Sequence, residues 1–124
     1  MANIDGNAVP STSKESQERR NGARTLCSEL VRVTFRDQTG EPVRQTGLLE
    51  DLSGDGLWVS LPYPLPVGAE IDFECDGFVG QAKVAYCHIG LYSYLAGAKF
   101  SNGLVWNTNV WRPSHFLLLG DKEE

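Results

Sequence analysis

In Glu29–Asp37, ELVRVTFRD, apolar and polar side chains alternate at every step from Leu30 onward. Val31, Val33 and Phe35 fall on one side, and Arg32, Thr34 and Arg36 fall on the other. That period of two belongs to a half-buried β-strand. It recurs down the chain. QTGEP follows, a turn by its Gly and Pro. VRQTGLLEDLS reads as a second strand ending near Asp51, and GLWVSL as a third with Leu57, Val59 and Leu61 on one side. PYPLPVG then interrupts the ladder, because prolines cannot donate to a sheet, and Gly68 closes this extended connector. AEIDFEC resumes the alternation with Ile71, Phe73 and Cys75 inward. Asp76-Gly77 is a strong hairpin signal. FVGQAKVAYCHI returns, and SYLAGAKF follows with Tyr94, Ala96, Ala98 and Phe100 on one face. Six short strands without a long helix predict an all-β domain, a small barrel or sandwich closed to hide its edges.

Outside this ladder the chain changes character. Positions 1–17 are polar, with almost no large apolar side chain, and are expected to form a flexible leader. The segment 102–119 carries Trp106, Trp111, Phe116 and the run Leu117–Leu119, too apolar for a free tail. It is expected to strap across the barrel, as an extended piece or one short helix, with 120–124 frayed beyond it.

Composition narrows the functional classes. The 124 residues make one domain by length, with a 41% hydrophobic fraction that supports an ordinary core. There is no apolar run long enough to span a bilayer and no secretory signal at the N-terminus, so a cytoplasmic protein without membrane insertion is expected. Cys27, Cys75 and Cys87 are odd in number and lack CxxC spacing, which suits reduced thiols in small buried positions. The net charge of −5 argues against a broad nucleic-acid face. Glu70, Asp72, Glu74 and Asp76 form an acidic comb that would repel a phosphate backbone. No nucleophile elbow, zinc signature, P-loop or dinucleotide fingerprint occurs. His88 and His115 lie far apart, with no metal-ligand spacing around them. Nothing points to catalysis or to a metal.

Two short motifs remain. In ERRNGAR, Glu18–Arg24, the residues Arg20 and Arg24 form R-x-x-x-R, preceded by Arg19. Guanidinium groups grip phosphate bidentately, match the O6/N7 edge of guanine and stack on a base. Taken alone, the run reads as a solvated charge cluster at a domain edge rather than as a site. In EDLSGDG, Glu50–Gly56, the residues Asp51, Ser53 and Gly56 form D-x-S-x-x-G. A carboxylate there could accept from the N1–H and N2–H₂ edge of guanine. Taken alone, this is a tight turn with Asp and Ser mimicking backbone and Gly54 and Gly56 at positive φ.

In combination, R-x-x-x-R before the barrel and D-x-S-x-x-G after the second strand resemble the PilZ domain. DLSGDGLWVSLPYPLPVGAEIDFEC is similar to that family's run of motif, apolar strand, proline-rich connector, Gly and strand, and AGAKF at Ala96–Phe100 resembles its closing strand. The resemblance spans about Glu18 to Ser101. It implies a six-stranded antiparallel β-barrel over 30–101, with an arginine arm over 18–29 and the strap over 102–119. It also implies a bacterial receptor for cyclic di-GMP. Arg20 and Arg24 would meet phosphates and guanine, with Arg19 assisting, and Asp51, Ser53 and Gly56 would line the pocket of one guanine. No enzyme activity, metal or cofactor is implied. With no effector domain visible, the output would pass to a partner protein in trans, from a monomer or weak dimer. The alternative is a PilZ-like barrel that binds no nucleotide and serves as a protein-interaction module.

Overall fold

The computed structural model describes residues 24–119. Seven strands follow one another: β1 Arg24–Arg36, β2 Pro42–Ser53, β3 Gly56–Leu61, β4 Glu70–Cys75, β5 Phe78–Ile89, β6 Tyr94–Phe100 and β7 Phe116–Leu119. No helix occurs among the described residues. The sheet order is β2-β3-β6-β5-β4-β1-β7, and β1 also pairs with β2. The first six strands therefore close into an antiparallel barrel. Closure leaves none of them with an open edge, which is how small all-β domains avoid edge-to-edge association.

Alternation chooses the inside. Val31, Val33, Leu57, Val59, Leu61, Ile71, Phe73 and Cys75 are all buried, as their period predicts. Ala82, Val84, Ala96 and Ala98 complete the wall, and small side chains there fit the narrow interior. Phe73, Phe78 and Phe100 pack together with ring centroids 5.3–6.1 Å apart.

The two ends of the barrel are closed differently. At one end the chain turns through the β2–β3 and β4–β5 hairpins. Asp76 (φ 49°) and Gly77 (φ 94°) make the latter turn in the left-handed region, as the Asp-Gly signal requires. The segment after β6 seals this end. The Trp106 amide donates to Gly54 O at 3.0 Å, and the Phe100 amide donates to Asp55 O at 2.9 Å. The Trp106 indole is buried and donates to Trp111 O at 2.9 Å. The Trp111 ring stacks on Phe78 at 5.3 Å. The expected strap is thus present as an extended segment; the helical option is not realised, and its last four residues form β7 instead.

At the other end, the proline-rich connector runs from β3 to β4 across the mouth, and Leu65 plugs it. Gln45 exchanges two hydrogen bonds with the Tyr63 backbone, each 3.0 Å, and so pins the connector. In the β1–β2 turn the Asp37 carboxylate accepts from the amides of Thr39 and Glu41 and from the Thr39 hydroxyl. Those bonds hold its carboxyl below the usual value, the Thr39 hydroxyl contributing most.

The first strand departs from expectation. β1 begins at Arg24, not near Leu30, so positions 24–29 belong to the sheet and not to an arm. Its N-terminal half pairs with β7, Arg24 opposite Leu119 and Cys27 opposite Phe116. β4 occupies the same side of β1 only further along, at Arg32–Thr34. The overhang gives β7 a template, and the short strand forms there.

Candidate functional site

The D-x-S-x-x-G residues sit where β2 leaves its register. The β1–β2 pairing slips between Leu26 and Glu29, and the β2–β3 pairing slips between Leu49 and Asp51. Both irregularities fall beside Glu50. A bulge adds a residue to one strand and re-aims the side chains after it. Hence Leu49 and Leu52, three apart, both face the core. Asp51, opposite Leu26 on β1 and Trp58 on β3, lies on the outer wall. It is nevertheless only 4% exposed.

Ser53 is buried too, and its hydroxyl donates to Asp55 Oδ1 at 2.9 Å across the turn. Gly54 and Gly56 are not at positive φ; among the described glycines that conformation belongs to Gly40, Gly68, Gly77 and Gly103. The reason for glycine at 56 is close approach. A Cβ there would stand 2.6 Å from Ala98 O on β6. The turn reading of this motif is therefore corrected at its glycines, while the Ser53–Asp55 bond retains its turn character.

Arg19 and Arg20 lie outside the described residues. Arg24 is the first residue of β1, and its neighbour Thr25 pairs with Leu52. The backbone thus joins the sheet one step from Ser53. The fold brings the last arginine of R-x-x-x-R and the D-x-S-x-x-G motif to one corner of the barrel, although they are far apart in sequence.

The outer wall beside that corner carries no motif in the sequence. Trp58 pairs with Gly97 on β6, and Gly97 pairs with Tyr86 on β5. The Tyr86 ring lies over Gly97 so closely that a Cβ at 97 would meet ring carbons at 2.6 Å. The His88 ring packs against Tyr86 at 4.8 Å. Two residues further along the same wall, Gly56, Lys99 and Lys83 are cross-strand partners. Alternation on β3 already puts Trp58 opposite the inward Leu57, Val59 and Leu61; the strand order β3-β6-β5 adds that Trp58 and Tyr86 flank Gly97 on that outer wall.

Other candidates are spoken for. A groove of about 370 Å³ on the opposite wall is lined by Arg32, Arg44, Asp72 and Glu74, among others. Arg32 is ion-paired to Glu74 and Asp72 accepts from Gln81, so the groove neutralises itself. Cys27 and Cys75 are free thiols, both pushed up to about 12. Burial is the main cause, reinforced by the Asp51 carboxylate for Cys27 and by Glu29 for Cys75. Neither is a nucleophile at neutral pH. No cluster of three or more metal-ligating side chains occurs among the described residues.

A scan against protein-family models and a search of curated proteins found no match to this chain.

Proposed function

We propose that this chain is a cyclic di-GMP receptor of the PilZ type. The observation that supports the reading is the corner just described: the arginine-bearing N-terminal segment joins the barrel one step from Ser53, beside the buried Asp51. Cyclic di-GMP carries two phosphates and two guanines. Arginine forks from 19, 20 and 24 suit the phosphates and the O6/N7 edges. Asp51 suits the donor edge of one guanine, held on a rigid strand by the bulge at Glu50. Ligand binding would draw the arginine segment onto the wall and so change the surface offered to a partner protein, a population shift set by differential affinity. The chemistry asked of the protein is recognition, with no bond made or broken.

A second reading has one observation in its favour. Ile89, Leu91 and Tyr92, on the β5–β6 hairpin, are exposed, as are Tyr63 and Val67 on the connector at the same end. A cluster of this kind suits a protein-interaction module that needs no nucleotide.

Isothermal titration separates the two. The wild type is expected to bind cyclic di-GMP at micromolar concentration or tighter, and both Arg24→Ala and Asp51→Ala are expected to abolish it. A folded wild type that gives no heat of binding would sink the receptor reading and leave the interaction module.

A further inference from the structure

We propose that the hairpin end of the barrel docks a second copy of this chain, apolar end against apolar end about a two-fold axis. This rests on the interaction surface of the second reading above and names its partner. It does not require that nucleotide binding be absent.

The patch is continuous and held in place. Leu61 and Tyr94 are the last cross-strand pair of β3 and β6. Tyr63 lies two residues beyond one and Tyr92 two residues before the other, so the two tyrosines overhang the barrel at matching positions. The Ser60 and Ser93 hydroxyls share a hydrogen bond that ties the two strands together beside them. The Gly90 amide donates to Ser93 O at 2.7 Å and closes the turn that carries Leu91 and Tyr92. Gln45 holds the Tyr63 backbone with two bonds. Tyr63, Ile89, Leu91 and Tyr92 are exposed nonetheless. A surface whose backbone is fixed before docking loses less freedom on binding.

Charge and area select the occupant. The chain carries a net −5, and a second copy brings the same charge. Contact is opposed wherever that excess is displayed and unopposed at an end that lacks it. The stretches 61–69 and 89–98 contain no charged residue. The β1–β2 turn and its flanks add Arg36, Asp37, Glu41 and Arg44 at this end, two of each sign. A two-fold interface lays one patch on its own image, so the patch has to complement itself. An apolar surface does, because its burial is favourable without a directional partner. The two tyrosines offer roughly 300–500 Å². Ile89 and Leu91 bring the patch toward the ~800 Å² per partner of a standard interface, above the few hundred that a lone monomer commonly leaves in water.

Sedimentation equilibrium from micromolar to near-millimolar protein tests this. The wild type is expected to follow a monomer–dimer equilibrium. Leu91 and Tyr92 form the tip and thus the centre of the contact, where losing a dominant side chain raises Kd about thirtyfold or more. Leu91→Ser/Tyr92→Ser should therefore stay monomeric over the same range. Val79→Ser, which removes an exposed apolar side chain on β5 away from this end, should dimerise like the wild type. Leu91→Cys should oxidise to a disulfide-linked dimer, with the wild type as control for its own thiols. A wild type that stays monomeric throughout overturns the proposal, as does a dimer that survives in the double serine variant. So does a monomer that binds phosphatidylcholine vesicles through the same two residues, which would make the occupant a lipid surface. Titrating the same samples with cyclic di-GMP separates the readings. Heat of binding by a dimeric wild type sinks the nucleotide-free module and leaves the dimer; no heat sinks the receptor reading and leaves the dimer too.

Discussion

The two ends of this barrel solve the same problem by opposite means. At the motif end, backbone carbonyls of the β2–β3 turn accept from Phe100 and Trp106, and the Trp111 indole donates to Asp76 O. Two tryptophans, one of them stacked on Phe78, close the core. At the hairpin end, Leu65 plugs the mouth under a connector pinned by Gln45, while Ile89, Leu91 and Tyr92 stand 81%, 91% and 96% exposed. The stretches 61–69 and 89–98 carry no charged residue. One end is locked by polar and aromatic contacts, the other leaves apolar surface in water. The closing contacts are therefore concentrated at the end that carries Asp51, and the exposed apolar surface at the end away from it.

The largest test of that contrast is Trp106→Ala. Removing a fully buried aromatic typically costs about 3–5 kcal/mol, and here the indole bond to Trp111 O goes with it. Urea denaturation should show a loss in that range. A loss below about 1 kcal/mol, the scale of an ordinary surface change, would mean that the strap does not close the core.

Two thiols, Cys75 buried and Cys27 half-buried, give a second test, by pH. Cys27 and Cys75 have their pKa raised from 9.0 to about 12 in the folded chain. Below about pH 9 both the folded and unfolded chains hold these protons, and the stabilisation is complete. Between pH 9 and 12 the unfolded chain releases protons that the folded one keeps, so stability falls as pH rises. Denaturation midpoints measured from pH 8 to 11 should decline, and Cys27→Ala/Cys75→Ala should flatten the decline. Iodoacetamide at pH 8 should label these two cysteines only after unfolding.

A smaller effect is expected at Thr25, beside the motif. It is fully buried next to Leu52, and its hydroxyl has no hydrogen-bond partner. A buried unsatisfied polar group costs on the order of 1 kcal/mol or more, so a same-shaped apolar residue can stabilise. Thr25→Val should raise stability by about 1 kcal/mol in urea melts. Lower stability would mean that the hydroxyl is satisfied after all.

How much of this was legible follows from what each feature needs. β3 and β5 begin and end where their alternation does, and Asp76-Gly77 marks its own hairpin, because these are local properties. Alternation starts β1 too late because the register slips between Leu26 and Glu29, and a bulge erases the period that announces a strand. β7 has no alternation in FLLL and exists through the overhang of β1 beyond β4. Arg24 and Asp51 are nominated by motif spacing, and the pairing of β1 with β2 accounts for their backbones lying at one corner. The strip Trp58–Gly97–Tyr86 was invisible for the same reason: it is assembled from three strands, and a single strand says only that an aromatic residue alternates, not which neighbour it faces.

The smallest expected effect lies at the hairpin end, and it sharpens the contrast from the other side. Leu91 and Tyr92 touch water over nearly all of their surface, so replacing them removes little buried area. Leu91→Ser/Tyr92→Ser should change stability by less than about 0.5 kcal/mol, within the error of a urea melt, and should give the same isothermal titration with cyclic di-GMP as the wild type. What should change is solubility, since an exposed apolar cluster drives association. Light scattering at high protein concentration should show less association in the double variant than in the wild type. If the double variant instead unfolds like Trp106→Ala, the hairpin is part of the core and the two ends are closed alike.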